Sequence, residues 1–239
     1  MDTIAPAWLW IFFVCSVLVA LFVDFAVLKK QGAQTVSVKD ALNWSLVWVA
    51  LSLAFNALFW WAVAQDHGSA VANAKSMEFL TGYLIEKSLA VDNIFVFLMI
   101  FTYFAVPPAF QKRVLMIGII GAIVLRTVMI LLGAWLIAHF HWVLYLFGAF
   151  LLATGIKMWW AAGKEPDLES NPALRVLRRL MPVSRGFDGE KFFTRENGKR
   201  IATPLLLVIA MVGLTDVIFA VDSIPAIFAI TSDPFIVLT

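Results

Sequence analysis

Six long apolar runs constrain what this chain can fold into. They are residues 7–28, 41–64, 79–104, 114–138, 142–160 and 201–230. An α-helix needs roughly 20 apolar residues to cross the ~30 Å hydrocarbon core of a bilayer, and each run is of about that length or longer. A helix also satisfies its backbone hydrogen bonds within one segment, which hydrocarbon requires. The sequence therefore predicts an all-α, polytopic membrane helix bundle with six spans.

The composition supports this class. The chain is 62% hydrophobic and only 14% charged, whereas soluble domains carry about 25% charged residues. Only Asp2 is charged before the first run, so the basic region of a cleaved signal peptide is missing and we expect a retained helix. We expect residues 1–239 to form a single membrane domain.

The distribution of basic residues predicts the orientation. Lys and Arg are concentrated after the first, third and fifth runs, and residues 161–200 alone hold nine of the 18. The positive-inside rule places these connections in the cytoplasm and the N-terminus outside, in the periplasm. Within the charged cytoplasmic loop 161–200, a short helix is expected at residues 171–180, and Asn197-Gly198 predicts a small hairpin.

Two stretches inside the apolar runs carry carboxylates. The third run contains Glu86 and Asp92 in EKSLAVDN, and the sixth contains Asp216 and Asp222 in DVIFAVDS. In both, an acid and three further residues precede Ala-Val-Asp and a small polar residue. A charged side chain at the centre of a spanning helix costs about 2.5–3.5 kcal/mol on insertion scales, so such residues indicate a functional site.

The two stretches are predicted to be antiparallel, because the third and sixth runs cross the membrane in opposite directions. Related segments of opposite orientation are typical of an inverted-topology repeat with its site near the midplane. Superposing the halves pairs Glu86 with Asp222 and Asp92 with Asp216. The sequence thus predicts four carboxylates near the membrane centre.

Four uncompensated carboxylates would bind protons unless a cation lay among them. Asn93 and Ser223 offer further oxygen ligands, and an all-oxygen site favours a hard divalent cation such as Mn²⁺, Mg²⁺ or Ca²⁺. Alternation between protons and metal would give proton coupling. Six residues turn an ideal helix through about 600°, so both acids of a stretch reach one site only if the helix is distorted; Pro225 is the expected source of a kink.

A structural role is the alternative for each acid taken singly. Arg126 and Lys87 lie at suitable depths to pair with a carboxylate, and Arg126 is expected to be a counter-charge because a guanidinium has no acceptor for a cation. Repetition of the whole pattern favours the metal-site hypothesis. Asp24 is expected at the membrane interface, outside the site.

Other chemistries are poorly supported. The three histidines, His67, His139 and His141, fall in short connections, and the single Cys15 excludes a disulfide within the chain. No nucleophile–base pair or phosphate-binding loop is recognisable. We expect no enzymatic activity, catalytic residue, prosthetic group or nucleic-acid partner.

The motifs resemble a known family. EKSLAVDN and DVIFAVDSIPA are similar to the two signature motifs of the TerC family, named after tellurium resistance. NWSLVWVALSLAFN from Asn43, FLTGYLIEKSLAVDN from Phe79 and the final TSDPFIVLT are similar to its Alx branch. The resemblance covers essentially the whole chain. It implies a multi-pass protein of the bacterial inner membrane in metal-ion homeostasis or resistance, with manganese export as its role and Glu86, Asp92, Asp216 and Asp222 as its intramembrane acids.

Two departures from the family pattern are expected to matter. Gly213 occupies a position where family members commonly have a glutamate, which lowers the negative charge of the site. The second repeat also stops just after its motif helix, so the repeat symmetry predicts roughly 60–80 further residues forming at least two helices. On this expectation the chain is truncated at its C-terminus.

Two functions follow. The leading hypothesis is a transporter that exports a divalent cation, Mn²⁺ above others. The alternative is a membrane partner or sensor that binds metal and hands it to exported client proteins without net transport, with loop 161–200 as its contact surface.

Overall fold

The computed structural model describes residues 3–31, 38–161, 172–196 and 198–239. Within these ranges the chain forms eight helices and one two-stranded hairpin. The helices are α1 (Ala7–Gln31), α2 (Val38–His67), α3 (Ser69–Tyr103), α4 (Pro108–His139), α5 (Val143–Ala161), α6 (Pro172–Leu180), α7 (Pro204–Phe228) and α8 (Pro234–Leu238), and the strands are β1 (Phe193–Glu196) and β2 (Lys199–Ala202). The predicted all-α class is confirmed.

Each of the six predicted spans corresponds to a helix, namely α1 to α5 and α7. In the described part of the chain, four are long and apolar enough to cross a membrane: Ala7–Ala26, Lys39–His67, Pro108–His139 and Pro204–Phe228. α5 contributes a shorter apolar helix, Val143–Lys157. α3 carries five charged residues, Lys75, Glu78, Glu86, Lys87 and Asp92. The chain is therefore an integral, multi-pass membrane protein, but six spans are not confirmed.

The connection between the second and third runs, residues 65–78, is mostly helical. Only Gly68 separates α2 from α3, because its φ of +83° ends α2 in the left-handed conformation that glycine tolerates. Lys75 and Glu78 of this connection belong to α3, where they form an ion pair of 2.7 Å one turn apart. Alanines at this end of α3 favour the helix.

The other end of α3 is closed by a Schellman motif. The N–H of Val106 donates to Phe101 O at 2.9 Å, and that of Ala105 donates to Thr102 O at 3.1 Å. Ala105 has a φ of +48°, where glycine is usual. α3 thus ends at Tyr103, next to the predicted end of the third run at residue 104, and α4 begins at Pro108.

The chain forms two compact units, and the first comprises Met1–Lys87, Ile130–His141 and Ile227–Thr239. Its core contains the fully buried Leu9, Phe59 and Phe235. Asp233 caps α8 by accepting a hydrogen bond from Phe235 N at 2.9 Å. Its other oxygen accepts from Ile4 N at 2.8 Å, which fixes the start of the chain.

The second unit comprises Ser88–Met129 and Trp142–Ala226. Ile100 of α3, Val114 of α4 and Leu205 of α7 are fully buried in its core. α4 and α7 approach each other closely at Gly118, where an added Cβ would lie 3.1 Å from Val212 Cγ1. This contact holds the helix that carries Asp216 and Asp222 against α4.

The described part of the charged loop belongs to the second unit. α6 begins at Pro172, and β1 and β2 are antiparallel, with Phe193 opposite Ala202 and Glu196 opposite Lys199. The predicted helix and hairpin are thus confirmed; residue 171 and Asn197 lie outside the described residues. Leu174 of α6 is buried in the same core as Leu205, so the loop packs on the start of α7.

Candidate functional site

α7 carries two of the predicted carboxylates on different sides. Asp216 is buried, with 6% of its surface exposed, and Asp222 is half-buried. α7 is helical from Pro204 to Phe228, so the six-residue separation rotates the two side chains apart. Pro225 lies inside this helix and removes the hydrogen bond to the carbonyl of Val221. A kink there stays a prediction.

Asp216 faces Arg126 of α4. Its Oδ1 lies 3.9 Å from Arg126 Nε, which is within ion-pair range but too long for a hydrogen bond. Gly118 of α4 contacts Val212 of α7. Arg126 lies eight residues after Gly118, whereas Asp216 lies only four residues after Val212. The Arg126 side chain therefore extends about one helical turn, ~6 Å, toward the N-terminus of α4, which is the direction in which helical side chains point.

Two buried oxygens of α7 have no hydrogen-bond partner among the described residues, Asp216 Oδ2 and Ser223 Oγ. A buried polar atom without a partner costs about 1–3 kcal/mol, so such atoms indicate a ligand or proton site. Neighbouring Thr215 offers them no donor, because its hydroxyl bonds Met211 O and Val212 O at 2.9 Å each. Asp216 and Ser223 therefore fit the predicted oxygen-donor chemistry.

Asp222 has a basic group nearby that the sequence analysis missed. Lys157 of α5 acts electrostatically on its carboxylate. The signal was a lysine inside the fifth apolar run, three residues before its predicted end. Such a position is also typical of a lysine that extends to the membrane surface.

The remaining predicted residues lie on α3. Asp92 is exposed and Asn93 half-buried, both in the second unit, whereas Glu86 is half-buried in the first. Lys87 is exposed, with Nζ 5.9 Å from the centroid of the Tyr83 ring. α3 is helical throughout, and no proline or glycine interrupts residues 86–92. A distortion that brings Glu86 and Asp92 to one site stays a prediction.

The complete four-carboxylate site stays a prediction. Within the described ranges, no three or more His, Cys, Asp or Glu side chains form a group that could hold a metal ion. Gly213, the position of the missing family glutamate, lies on α7 with nothing within 4 Å of an added Cβ. This position thus has room for a larger side chain.

The sequence profile described as "Integral membrane protein TerC family" matches residues 71–239, which include both carboxylate motifs. The chain belongs to the TerC family. TerC relatives include Alx of Escherichia coli (strain K12), named as a proposed membrane-bound redox modulator, which is 55% identical over 239 residues. The match covers 100% of this chain and 74% of that protein.

A second TerC relative is Alx of Shigella flexneri, with the same proposed role in its name, also 55% identical and covered to 75% of its length. A membrane protein of Myxococcus xanthus is 46% identical over 231 residues, covering 97% of this chain and 70% of the relative. No solved structure matches. The recognition of the family from its motifs is therefore confirmed.

Proposed function

We propose that this TerC chain exports a divalent cation, Mn²⁺ above others, across the bacterial inner membrane, with its N-terminus in the periplasm. The observation that carries the proposal is the buried Asp216 carboxylate on α7, whose Oδ2 has no hydrogen-bond partner among the described residues. α7 is itself a candidate membrane span. An ionisable group placed there indicates an ion pathway.

The donor set supports a hard cation. Asp92, Asp216 and Asp222 of the second unit are the proposed carboxylate ligands, Asn93 and Ser223 are the proposed neutral ones, and the sequence repeat adds Glu86. Oxygen donors suit Mn²⁺, Mg²⁺ and Ca²⁺. Carboxylates that bind protons when the cation leaves provide a basis for proton coupling. The mechanism needs no catalysis, and we propose no enzymatic activity.

Arg126 has a defined part in this proposal. Its guanidinium partly offsets the Asp216 charge before a cation enters, and the 3.9 Å separation leaves no hydrogen bond to break. A divalent cation outcompetes it by direct coordination of the carboxylate. Lys157 is placed to do the same for Asp222.

Purified protein in proteoliposomes tests transport, with Mn²⁺ flux followed by an internal metal-sensitive dye. We expect Asp216→Asn and the double variant Asp92→Asn/Asp222→Asn to lose flux, and Asp66→Asn, an exposed acid near the end of α2, to retain it. Manganese flux of the double variant equal to that of the parent would contradict the ligand assignment. Parallel assays with Mg²⁺ and Ca²⁺ establish the preferred cation.

The second candidate is metal binding without flux, for delivery to an exported client or for sensing. The described part of loop 161–200 favours it, because α6 and the hairpin are folded against the start of α7 and offer a fixed surface. This function predicts Mn²⁺ binding to the solubilised protein without Mn²⁺ flux, and clients that co-purify only while that loop is present.

The redox role in the names of the Alx relatives is compatible with metal handling. This chain has one cysteine, Cys15, so a thiol–disulfide cycle within the chain is impossible. A protein that regulates a redox-active ion such as manganese can influence redox chemistry without a thiol. Cys15→Ser is accordingly expected to leave Mn²⁺ flux unchanged.

A further inference from the structure

A cavity of about 640 Å³ lies in the second unit beside the start of α7. Tyr103 and Phe104 from the end of α3 and Leu207 from the first turn of α7 form its apolar side. Arg178 of α6 and Arg185 of the following loop form its basic side. No acidic residue of the described chain lines it. The cavity thus combines an apolar wall with two guanidinium groups.

The two arginines differ from Arg113 and Arg200 of the same unit. Arg113 pairs with Glu190 and stacks on Phe192 at 4.9 Å, and Arg200 stacks on Phe193 at 4.2 Å. Arg178 and Arg185 form no ion pair with any residue that the structure describes. Their charges are therefore available to an anion that is not part of the described chain.

Packing and hydrogen bonds fix the two backbone segments that carry these arginines. Leu174, with 2% exposed, anchors α6 in the core, and Leu177 packs against the same core; Arg178 is exposed. The loop that carries Arg185 is fixed by Ser184 N, which donates to Ala202 O at 2.8 Å, and by Ala202 N, which donates to Pro182 O at 3.0 Å. The basic side is thus built on the same scaffold as α7.

The position of the cavity matches the membrane surface. Pro204 lines the cavity and begins a candidate span, so we expect Arg178 and Arg185 to lie at the level of lipid headgroups. Aromatic residues such as Tyr103 are enriched at this level. Basic pockets at the ends of spans are typical sites for anionic headgroups, and the planar guanidinium suits a phosphate.

We propose that this cavity binds an anionic phospholipid, with its phosphate between Arg178 and Arg185 and an acyl chain along the wall formed by Phe104 and Pro204. An apolar wall that continues onto a spanning helix favours a lipid over a free phosphate. Charge complementarity favours an anionic over a zwitterionic headgroup.

The test is binding of short-chain phosphatidylglycerol to the full chain in neutral detergent, measured by native mass spectrometry. Arg178→Gln/Arg185→Gln is expected to bind about 30-fold more weakly than the parent, from the contribution of each arginine near a membrane surface. The matched control Arg195→Gln/Lys199→Gln removes two charges from the hairpin outside the cavity, and its binding is expected to stay within about twofold of the parent. Phosphatidylcholine is expected to bind the parent weakly.

Three outcomes would overturn the proposal. The first is phosphatidylglycerol binding by Arg178→Gln/Arg185→Gln equal to that of the parent. The second is an equal loss in the hairpin control, which would indicate general charge attraction. The third is inorganic phosphate that displaces the lipid at equal concentration, which would make free phosphate the ligand. Both arginines are exposed, and unchanged helical circular dichroism establishes that the variants fold.

Discussion

Arg126 Nε lies 3.9 Å from Asp216 Oδ1, between two helices that meet at Gly118 and Val212. The side chain of Asp216 is 8% exposed and that of Arg126 is 25% exposed. Their attraction therefore acts in surroundings that screen charge less than water does. The pair connects the packing of α4 on α7 with the charge of the proposed cation site.

Removal of Arg126 is expected to destabilise the protein. Arg126→Gln leaves the buried carboxylate without its opposite charge, which we expect to lower the free energy of unfolding by about 1–3 kcal/mol. Asp216→Asn should cost less, and the double variant should cost less than the sum, with a coupling energy of about 0.5–3 kcal/mol. The measurement is denaturant unfolding in detergent micelles.

The matched control for this cycle is Arg113→Gln. Arg113 and Glu190 are paired on the surface, with side chains 41% and 56% exposed, so their loss should change stability by less than about 1 kcal/mol. Additive effects of Arg126→Gln and Asp216→Asn would show that the two residues do not interact in the folded protein.

Gly118 is expected to resist substitution. An added Cβ meets Val212 Cγ1 at 3.1 Å, and Val212 is buried and stiff at χ1. Gly118→Ala should therefore destabilise by about 1 kcal/mol and Gly118→Leu by about 1–3 kcal/mol or more. Thermal unfolding in detergent provides the measurement.

Gly121, three residues along the same helix, is the control. Nothing lies within 4 Å of its added Cβ, so Gly121→Ala should stabilise α4 by up to about 1 kcal/mol through helix propensity. Val212→Ala combined with Gly118→Ala should recover part of the loss. Equal responses of the two glycines to alanine would exclude the α4–α7 contact as the cause.

The sequence was most informative about which segments are helical. The apolar runs predicted α1 to α5 and α7, because hydrocarbon permits few alternatives to a helix. It did not indicate that residues 69–78 are helical, because Lys75 and Glu78 interrupt the apolar pattern although their ion pair lies on the helix surface. α8 was also missed. Asp233-Pro234 carries its signal, a capping acid followed by a proline in the first turn.

The partners of each carboxylate were less predictable. α4 and α7 are apolar on most faces, so periodicity does not indicate which side of either helix meets the other. That Arg126 faces Asp216, and that Lys157 acts on Asp222, depends on the rotation of packed helices. The motifs identified the carboxylates of interest, whereas helix packing determined which basic residues lie near them.

Asp233 is expected to stabilise the first unit. Its carboxylate accepts hydrogen bonds from Phe235 N, Ile4 N and Thr3 Oγ1 at 2.9, 2.8 and 3.0 Å. Asp233→Ala leaves these donors without their acceptor and should lower the unfolding free energy by about 2–3 kcal/mol. Asp66→Ala, at an exposed acid, should change it by less than about 0.5 kcal/mol. Comparable losses in both variants would contradict this role.

Ala105 is expected to be a site of stored backbone strain. Its φ of +48° places a Cβ in the left-handed region, at a cost of about 1–2 kcal/mol that glycine avoids. Ala105→Gly should raise the unfolding free energy because it relieves this strain. The net gain should be at most about 1 kcal/mol, because glycine also loses more entropy on folding than alanine does. Ala74→Gly, inside α3 and exposed, should lower it by about 0.5–1 kcal/mol. Destabilisation of similar size by both changes would exclude the strain.

Asp188 is expected to make the hairpin sensitive to acid. Hydrogen bonds from Thr194 at 2.9 Å and Lys191 at 3.2 Å hold the pKa of this carboxyl below its ordinary value. Because the pKa is lowered by folding, ionised Asp188 stabilises the folded state fully at pH values above the pKa of the unfolded chain, about 4. This stabilisation is lost as the pH falls through the pKa of the folded state. Hairpin amides should therefore keep their hydrogen-exchange protection at neutral pH and lose part of it in acid.

The cause of the Asp188 shift can be separated from general charge effects. Thr194→Val removes the strongest donor and keeps the side-chain shape, so the pKa of Asp188 should rise toward its ordinary value. The carboxyl ¹³C chemical shift of Asp188, followed through a pH titration, measures this change directly. Lys199→Gln removes a charge from the same hairpin but no hydrogen bond to Asp188, and it should leave the titration midpoint nearly unchanged. A midpoint that moves with Lys199→Gln and stays constant with Thr194→Val would show that net charge, and not the threonine hydroxyl, controls this carboxylate.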